Sequence, residues 1–254
     1  DLDLGDINGD GYADIVMGFG NSDFDNTDYD GDGILDSSSG TVSFIHGAPL
    51  QTLLDRLYID DYGMVSGSFW THFLSPLGSR DAEFGTSISV GDINGDGYDD
   101  IVIGAPYADE SDFLDKDNGA VYVIYGQATF KITTWDASSE GVYTPSDYGT
   151  SIQYFDEFSG LDDAEYGSAV TVGDFNGDGY MDFATATPVY GINYAGGGIV
   201  TIFLGAAFGD PQLAVIIDGV GEGTELGDTD GSLENLGDVN GDGLVNVTDL
   251  LLIM

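Results

Sequence analysis

The chain has 254 residues, of which 42% are hydrophobic and 12% aromatic, enough to bury a sizeable core and to exclude global disorder. Its 46 acidic residues against 4 basic ones give a formal net charge of −42, which excludes nucleic acid and anionic membrane as partners. Cysteine is absent, so disulfides and thiolate metal sites are excluded, and no apolar run reaches membrane-spanning length.

The first unit opens with DLDLGDINGDGYADIVMG, two short apolar runs around a loop. Asp6, Asn8 and Asp10 stand at alternate positions, Gly11 follows, and Asp14 closes the set. Oxygen side chains at positions 1, 3, 5 and 9, with glycine at 6, match the first part of an EF-hand calcium loop. Tyr12, at position 7, is expected to offer its backbone carbonyl. The flanking segments read as strands, so the loop joins two strands and not two helices. The chain starts at Asp1 inside this unit, which fits a processed product or a fragment.

A polar insertion then holds a second such loop: Asp28, Asp30, Asp32 and Asp36, with Gly33 at position 6 and the carbonyl of Ile34 at position 7. Four carboxylates within nine residues repel strongly unless a cation sits among them. TVSFIHG, from Thr41, alternates as a third strand, and LLDRLYIDDYG reads as either a short helix or a fourth strand.

The second unit carries the clearest version, FGTSISVGDINGDGYDDIVIGAP from Phe84. Its ligand candidates are Asp92, Asn94, Asp96, the carbonyl of Tyr98, and Asp100. Position 12, an acidic bidentate ligand in an EF-hand, is Ile103. The insertion YADESDFLDKDNG is acidic without alternate spacing and reads as a solvated loop. GAVYVIYG, from Gly119, and TFKITTW, from Thr129, read as outer strands; YGTSIQYF, from Tyr148, reads as an extra strand or the remnant of a degenerate unit. In the third unit Asp174, Asn176, Asp178, the carbonyl of Tyr180, and Asp182 repeat the loop, ATATP replaces GAP, and GGGIVTIFLG repeats the alternating strand. Ile101, Ile103, Val121, Val123, Val170, Val172, Ile202 and Leu204 are core candidates by alternation.

The last stretch changes character. GDVNGDGLVNVTDLLLIM places Asp238, Asn240, Asp242 and Asn246 at positions 1, 3, 5 and 9, the carbonyl of Leu244 at 7, and Asp249 at 12. A helical pattern follows Val247. Asn246–Val247–Thr248 also fits a glycosylation sequon, with calcium ligation the preferred reading.

DAEFGTSISVGDINGDGYDD, from Asp81, returns as DAEYGSAVTVGDFNGDGYMD, from Asp163, a constant offset of 82 residues (163 minus 81). A fixed period is the signature of a repeat architecture. With its Phe84–Gly85 opening and Gly104–Ala105–Pro106 close, the unit resembles the FG-GAP repeat of integrin α-chain β-propellers and related bacterial surface proteins. The resemblance implies an all-β fold of four-stranded antiparallel blades, with calcium between the first two strands of each. Residues 1–225 would be blades (units near 1–75, 76–147 and 148–225). The tail, 226–254, resembles the first half of a dockerin module, a calcium loop leading into a short helix.

No catalytic constellation is visible: no Gly-x-Ser-x-Gly elbow, phosphate loop or His-Glu-x-x-His motif, and His46 and His72 stand singly among apolar residues. Carboxylate pairs abound, but in metal-loop spacing, where they are not free to donate protons. The expectation is a non-enzymatic, calcium-binding β-propeller protein with about five calcium sites, secreted or on the cell surface, serving adhesion or a structural matrix. Five divalent ions neutralise ten of the 42 excess negative charges and still leave about −32. Expected partners are calcium, another surface protein or glycan, and a second copy in head-to-tail assembly. The alternative is an accessory or substrate-binding module of a secreted enzyme, carrying the dockerin-like tail.

Overall fold

The computed structural model describes residues 1–22, 40–49, 58–59, 65–66, 70–74, 82–108, 118–128, 141–143, 152–155, 164–188, 198–207 and 210–218. These hold only strands, turns and loops. The acidic loop Asp28–Asp36, the segment 129–135, and the C-terminal loop Asp238–Asp249 with its expected helix lie outside them.

The strands are β1 (Leu2–Gly5), β2 (Asp14–Phe19), β3 (Thr41–Ile45), β4 (Tyr58–Ile59), β5 (Val65–Ser66), β6 (Trp70–Leu74), β7 (Ser87–Gly91), β8 (Asp100–Ala105), β9 (Ala120–Ile124), β10 (Gly141–Tyr143), β11 (Ile152–Phe155), β12 (Ala169–Gly173), β13 (Asp182–Thr187), β14 (Ile199–Leu204) and β15 (Gln212–Asp218). They form three main sheets, ordered β1-β2-β3-β6-β10, β7-β8-β9-β11 and β12-β13-β14-β15, with β4-β5 as a small hairpin. Each main sheet starts as an antiparallel meander, and its first two strands are joined by one of the acidic loops. This is the blade pattern of a propeller.

Two strands fall in sheets other than those their sequence units suggest. β11, from the segment that opens the third unit, pairs antiparallel with β9 and closes the second sheet, Ile152 opposite Ile124. β10 pairs parallel with β6 at the outer edge of the first sheet, Gly141 opposite Thr71. Several alternating segments follow β9, and alternation alone marks a strand without naming its partner. Of LLDRLYIDDYG the described residues form β4, and the strand paired beyond β3 in the first sheet is β6.

The core lies between the sheets. Ile101, Ile103, Val121 and Val123 are fully buried, Val170 and Ile202 nearly so, and Val172 and Leu204 pack against the core at its margin. Aromatic rings also pack within the blades: Phe183 lies on its cross-strand partner Phe203, with ring centroids 4.7 Å apart, and Phe84 stands edge-on to Tyr122.

The Phe–Gly turn fastens each blade to the one before. Thr86 N–H donates to the Glu83 carbonyl at 3.0 Å, closing a tight turn in which Gly85 adopts φ +93°. Glu83, and Glu165 at the equivalent place in the third unit, take positive φ (52° and 54°), a conformation that L-residues occupy at a cost of about 1–2 kcal/mol. The turn presses into the preceding blade, where a Cβ on Gly18 would lie 2.1 Å from the Gly85 carbonyl oxygen. Gly104 is held the same way, since a Cβ there would lie 1.9 Å from the Gly167 carbonyl oxygen. Among the described residues no such turn follows the third sheet, and there the equivalent position is Ala186. The departure of ATATP from GAP therefore has a steric reading.

Gly104→Ala should accordingly force the two blades apart. Urea unfolding is expected to show a loss of about 1–3 kcal/mol, and a loss within 0.5 kcal/mol of zero, about the scatter of surface substitutions, would contradict this joint.

Candidate metal centre

Each of the three described acidic loops is shaped by its own carboxylates. In the first, Asp6 accepts from the N–H groups of Asp10 at 2.9 Å and Gly11 at 2.8 Å. Asn8 Oδ1 accepts from Asp10 N–H, and Asp10 Oδ1 from Tyr12 N–H, both at 2.9 Å. The second loop repeats this: Asp92 accepts from Asp96 and Gly97, Asn94 from Asp96, and Asp96 from Tyr98. In the third, Asp174 accepts from Gly177, Asp178 and Gly179, Asn176 from Asp178, and Asp178 from Tyr180. Such short side-chain-to-backbone bonds are what Asp and Asn supply in turns. The glycines at position 6 sit at φ +86°, +91° and +92°, where a side chain would be strained.

The ninth position behaves differently. Asp14, Asp100 and Asp182 are fully buried. One carboxylate oxygen accepts from the second residue of the loop: Ile7 N–H at 3.1 Å, Ile93 N–H at 2.9 Å, Phe175 N–H at 2.8 Å. The other accepts from a glycine just past the third strand: Gly47 N–H at 2.6 Å, and Gly126 and Gly205 N–H at 2.9 Å. Burial pushes the three carboxyls up, Asp14 and Asp182 to about 6 and Asp100 to about 7, against the pull of these hydrogen bonds. All four Lys and Arg residues lie outside the described ones, so no lysine or arginine is placed beside these carboxylates there.

The first loop departs in one respect. Asn94 and Asn176 donate their amide N–H to Asp96 and Asp178 Oδ2, but Asn8 lies 3.0 Å from His46 Nδ1 instead. With Asn8 donating, His46 accepts at Nδ1; its ring stands edge-on to Phe44, with centroids 4.6 Å apart, and burial pushes its pKa down. His46 is thus a packed histidine that props the third loop position.

The side chains assigned from sequence in the first, third and fourth sequence loops each bond to N–H groups of their own loop. Among the described residues no three His, Cys, Asp or Glu side chains converge as a closed metal cage. The oxygen set nevertheless suits a hard cation, because each loop adds an asparagine oxygen and a backbone carbonyl to its carboxylates. Sequence reasoning missed the double hydrogen bond at the ninth position and the residue before it. Asp99 Oδ2 accepts from Asp6 N–H at 2.7 Å, and Asp99 N–H donates to the Asp6 carbonyl at 3.1 Å, across the joint between blades. No local spacing signals this contact, since the two residues are 93 apart in the chain.

Asp100→Ala would leave the Ile93 and Gly126 N–H groups buried without an acceptor. With each orphaned donor costing about 1–3 kcal/mol, unfolding in chelator should show a loss of about 2–6 kcal/mol, and an unchanged midpoint would show that the carboxylate does not tie the loop to the third strand.

The FG-GAP repeat family matches residues 84–124 and 166–203. The chain is also similar to integrin α-chains: 35% identical to integrin alpha-PS2 of Drosophila melanogaster over 50% of its length, 36% to integrin alpha-6 of Gallus gallus over 57%, and 31% to integrin alpha-IIb of Mus musculus over 73%. The matched regions cover 8%, 11% and 16% of those relatives, so the chain spans a small part of their length. Two of the three described loop-bearing blades thus match the FG-GAP repeat.

Proposed function

We propose that the chain is part of an extracellular, non-enzymatic β-propeller that acts in adhesion, with calcium as a structural cofactor of its blades. The observation that carries this reading is the loop set. Three loops hold their first, third and fifth side chains by their own N–H groups and bury the ninth as a carboxylate with no basic partner among the described residues. Buried charge of that kind calls for a compensating cation. Asp6, Asn8, Asp10 and Asp14 would hold one ion, Asp92, Asn94, Asp96 and Asp100 a second, and Asp174, Asn176, Asp178 and Asp182 a third, with the carbonyls of Tyr12, Tyr98 and Tyr180. Met17, Ile103 and Thr185 occupy position 12, which supplies no carboxylate and fits the weaker affinity of extracellular modules.

Calcium supplies positive charge and coordination when bound; the chain supplies the shape. Loop N–H groups orient the carboxylates, the ninth carboxylate ties the loop to the third strand, and the joint to the next blade fixes the whole. The integrin relatives support adhesion as the role; the partner proposed is a surface protein or a glycan. The half-dockerin resemblance and the Asp28–Asp36 loop lie outside the described residues and add two further calcium sites to the proposal.

Chelation should lower the melting temperature, because an ion that binds only the folded chain stabilises it by mass action. At free calcium about 100 times the dissociation constant, the stabilisation is about 2.7 kcal/mol per site. Differential scanning calorimetry in millimolar calcium and in excess chelator tests this, and superimposable curves would overturn the calcium reading.

A second copy is the proposed partner for the outward face of the first sheet. Leu2, Leu4, Ile15 and Phe19 are exposed there, whereas the equivalent Ile88, Ile101 and Ala105 of the second blade are buried. Light scattering at high protein concentration in calcium should detect association that Leu4→Lys abolishes; a monomer under these conditions would rule it out.

A further inference from the structure

Adjacent loops touch, and they do so through two consecutive residues. Tyr98, at position 7 of the second loop, lays its ring on the first: a Cβ on Gly9 would lie 2.5 Å from Tyr98 Cε1. Asp99, at position 8, forms the reciprocal pair of hydrogen bonds with the peptide groups of Asp6. Gly5 leaves room for it, since a Cβ there would lie 2.8 Å from Asp99 Oδ2. Asp6 is position 1 of the first loop, and Tyr98 and Asp99 lie between Asp96 and Asp100 of the second.

We propose that cation binding in the first and second loops is positively coupled through Tyr98 and Asp99, with Asp99 as the positioning residue. The proposal rests on the calcium reading above and goes beyond it. An ion in the second loop draws on Asp96, Asp100 and the carbonyl of Tyr98, and so orders the stretch that grips Asp6. The first loop then binds its ion with less left to order. A shared two-state element makes this coupling reciprocal by thermodynamic necessity.

The joint between the second and third loops is an internal control. Tyr180 covers Gly95 as Tyr98 covers Gly9, with 2.7 Å from the glycine's built Cβ to Tyr180 Cε1. Position 8, however, is Met181, which has no carboxylate, and its N–H reaches the Asp92 carbonyl only at 3.4 Å. The second joint should couple its loops more weakly than the first.

The test is a site-resolved calcium titration of the full chain by NMR, following the amide signals of Gly11, Gly97 and Gly179. Asp96→Ala should weaken calcium binding in the first loop about fivefold or more, and Asp10→Ala should weaken the second loop by the same factor. Asp99→Ala, which leaves every ligand of the second loop in place, should bring that factor close to one. Asp99→Asn keeps an acceptor oxygen for Asp6 N–H and should retain it. Met181→Asp should raise the coupling of the second and third loops. Affinities in the first loop that do not respond to Asp96→Ala, or unequal factors in the two directions, would overturn the proposal. So would equal coupling at both joints of the unaltered chain, a comparison that needs no variant at the contact itself. Absence of any calcium response in the unaltered chain would instead overturn the calcium reading beneath it.

Discussion

Each blade joins its first two strands through a loop whose last carboxylate is buried between two backbone N–H groups, one from the loop and one from beyond the third strand. That carboxylate turns three consecutive strands and one loop into a single unit. Its removal from water is costly and is offset by the two hydrogen bonds only in part, as the rise in the pKa of Asp100 to about 7 shows. A raised carboxyl pKa means that the folded chain loses stability as pH climbs from the unfolded value towards the folded one. At neutral pH Asp14 and Asp182, raised to about 6, are mostly ionised and Asp100, raised to about 7, is partly so, with no lysine or arginine among the described residues to balance them. A divalent cation among the neighbouring oxygens is the economical physical answer.

The loops serve a second purpose, because they form one of the two fastenings between blades. The Phe–Gly turn enters the preceding blade at one end of the strands, where Gly18 and Gly104 leave no space for a Cβ. The Tyr98 and Tyr180 rings close on Gly9 and Gly95 at the loop end. Between them the buried faces of the sheets stack their aliphatic and aromatic side chains. Interfaces pinned at both ends in this way transmit displacement at one loop to the next, since packed interiors deform little.

Much of this was legible in the sequence, and the reasons are local. Alternation before and after Asp6, Asp92 and Asp174 marks β1–β2, β7–β8 and β12–β13, because strand period and loop spacing are both short-range properties. The core positions from Ile101 to Ile202 follow from the same period. Pairing partners did not follow. β10 and β11 come from one run of strand-like segments, yet one joins the first sheet and the other the second, a choice made by tertiary contacts. The Asp99 contact was equally invisible, since its partner Asp6 lies in another repeat. The left-handed Glu83 and Glu165 were hidden for a different reason: glutamate gives no sign of positive φ, and only the turn around Gly85 and Gly167 imposes it.

The account stands on cations seated in the three described loops, and a crystal structure of the chain grown in millimolar calcium tests that most directly. The expected result is an anomalous-scattering peak in each loop, about 2.3–2.6 Å from oxygens at positions 1, 3, 5 and 9 and from the carbonyls of Tyr12, Tyr98 and Tyr180. Well-ordered loops with no anomalous peak, or with water alone among their carboxylates, would contradict it.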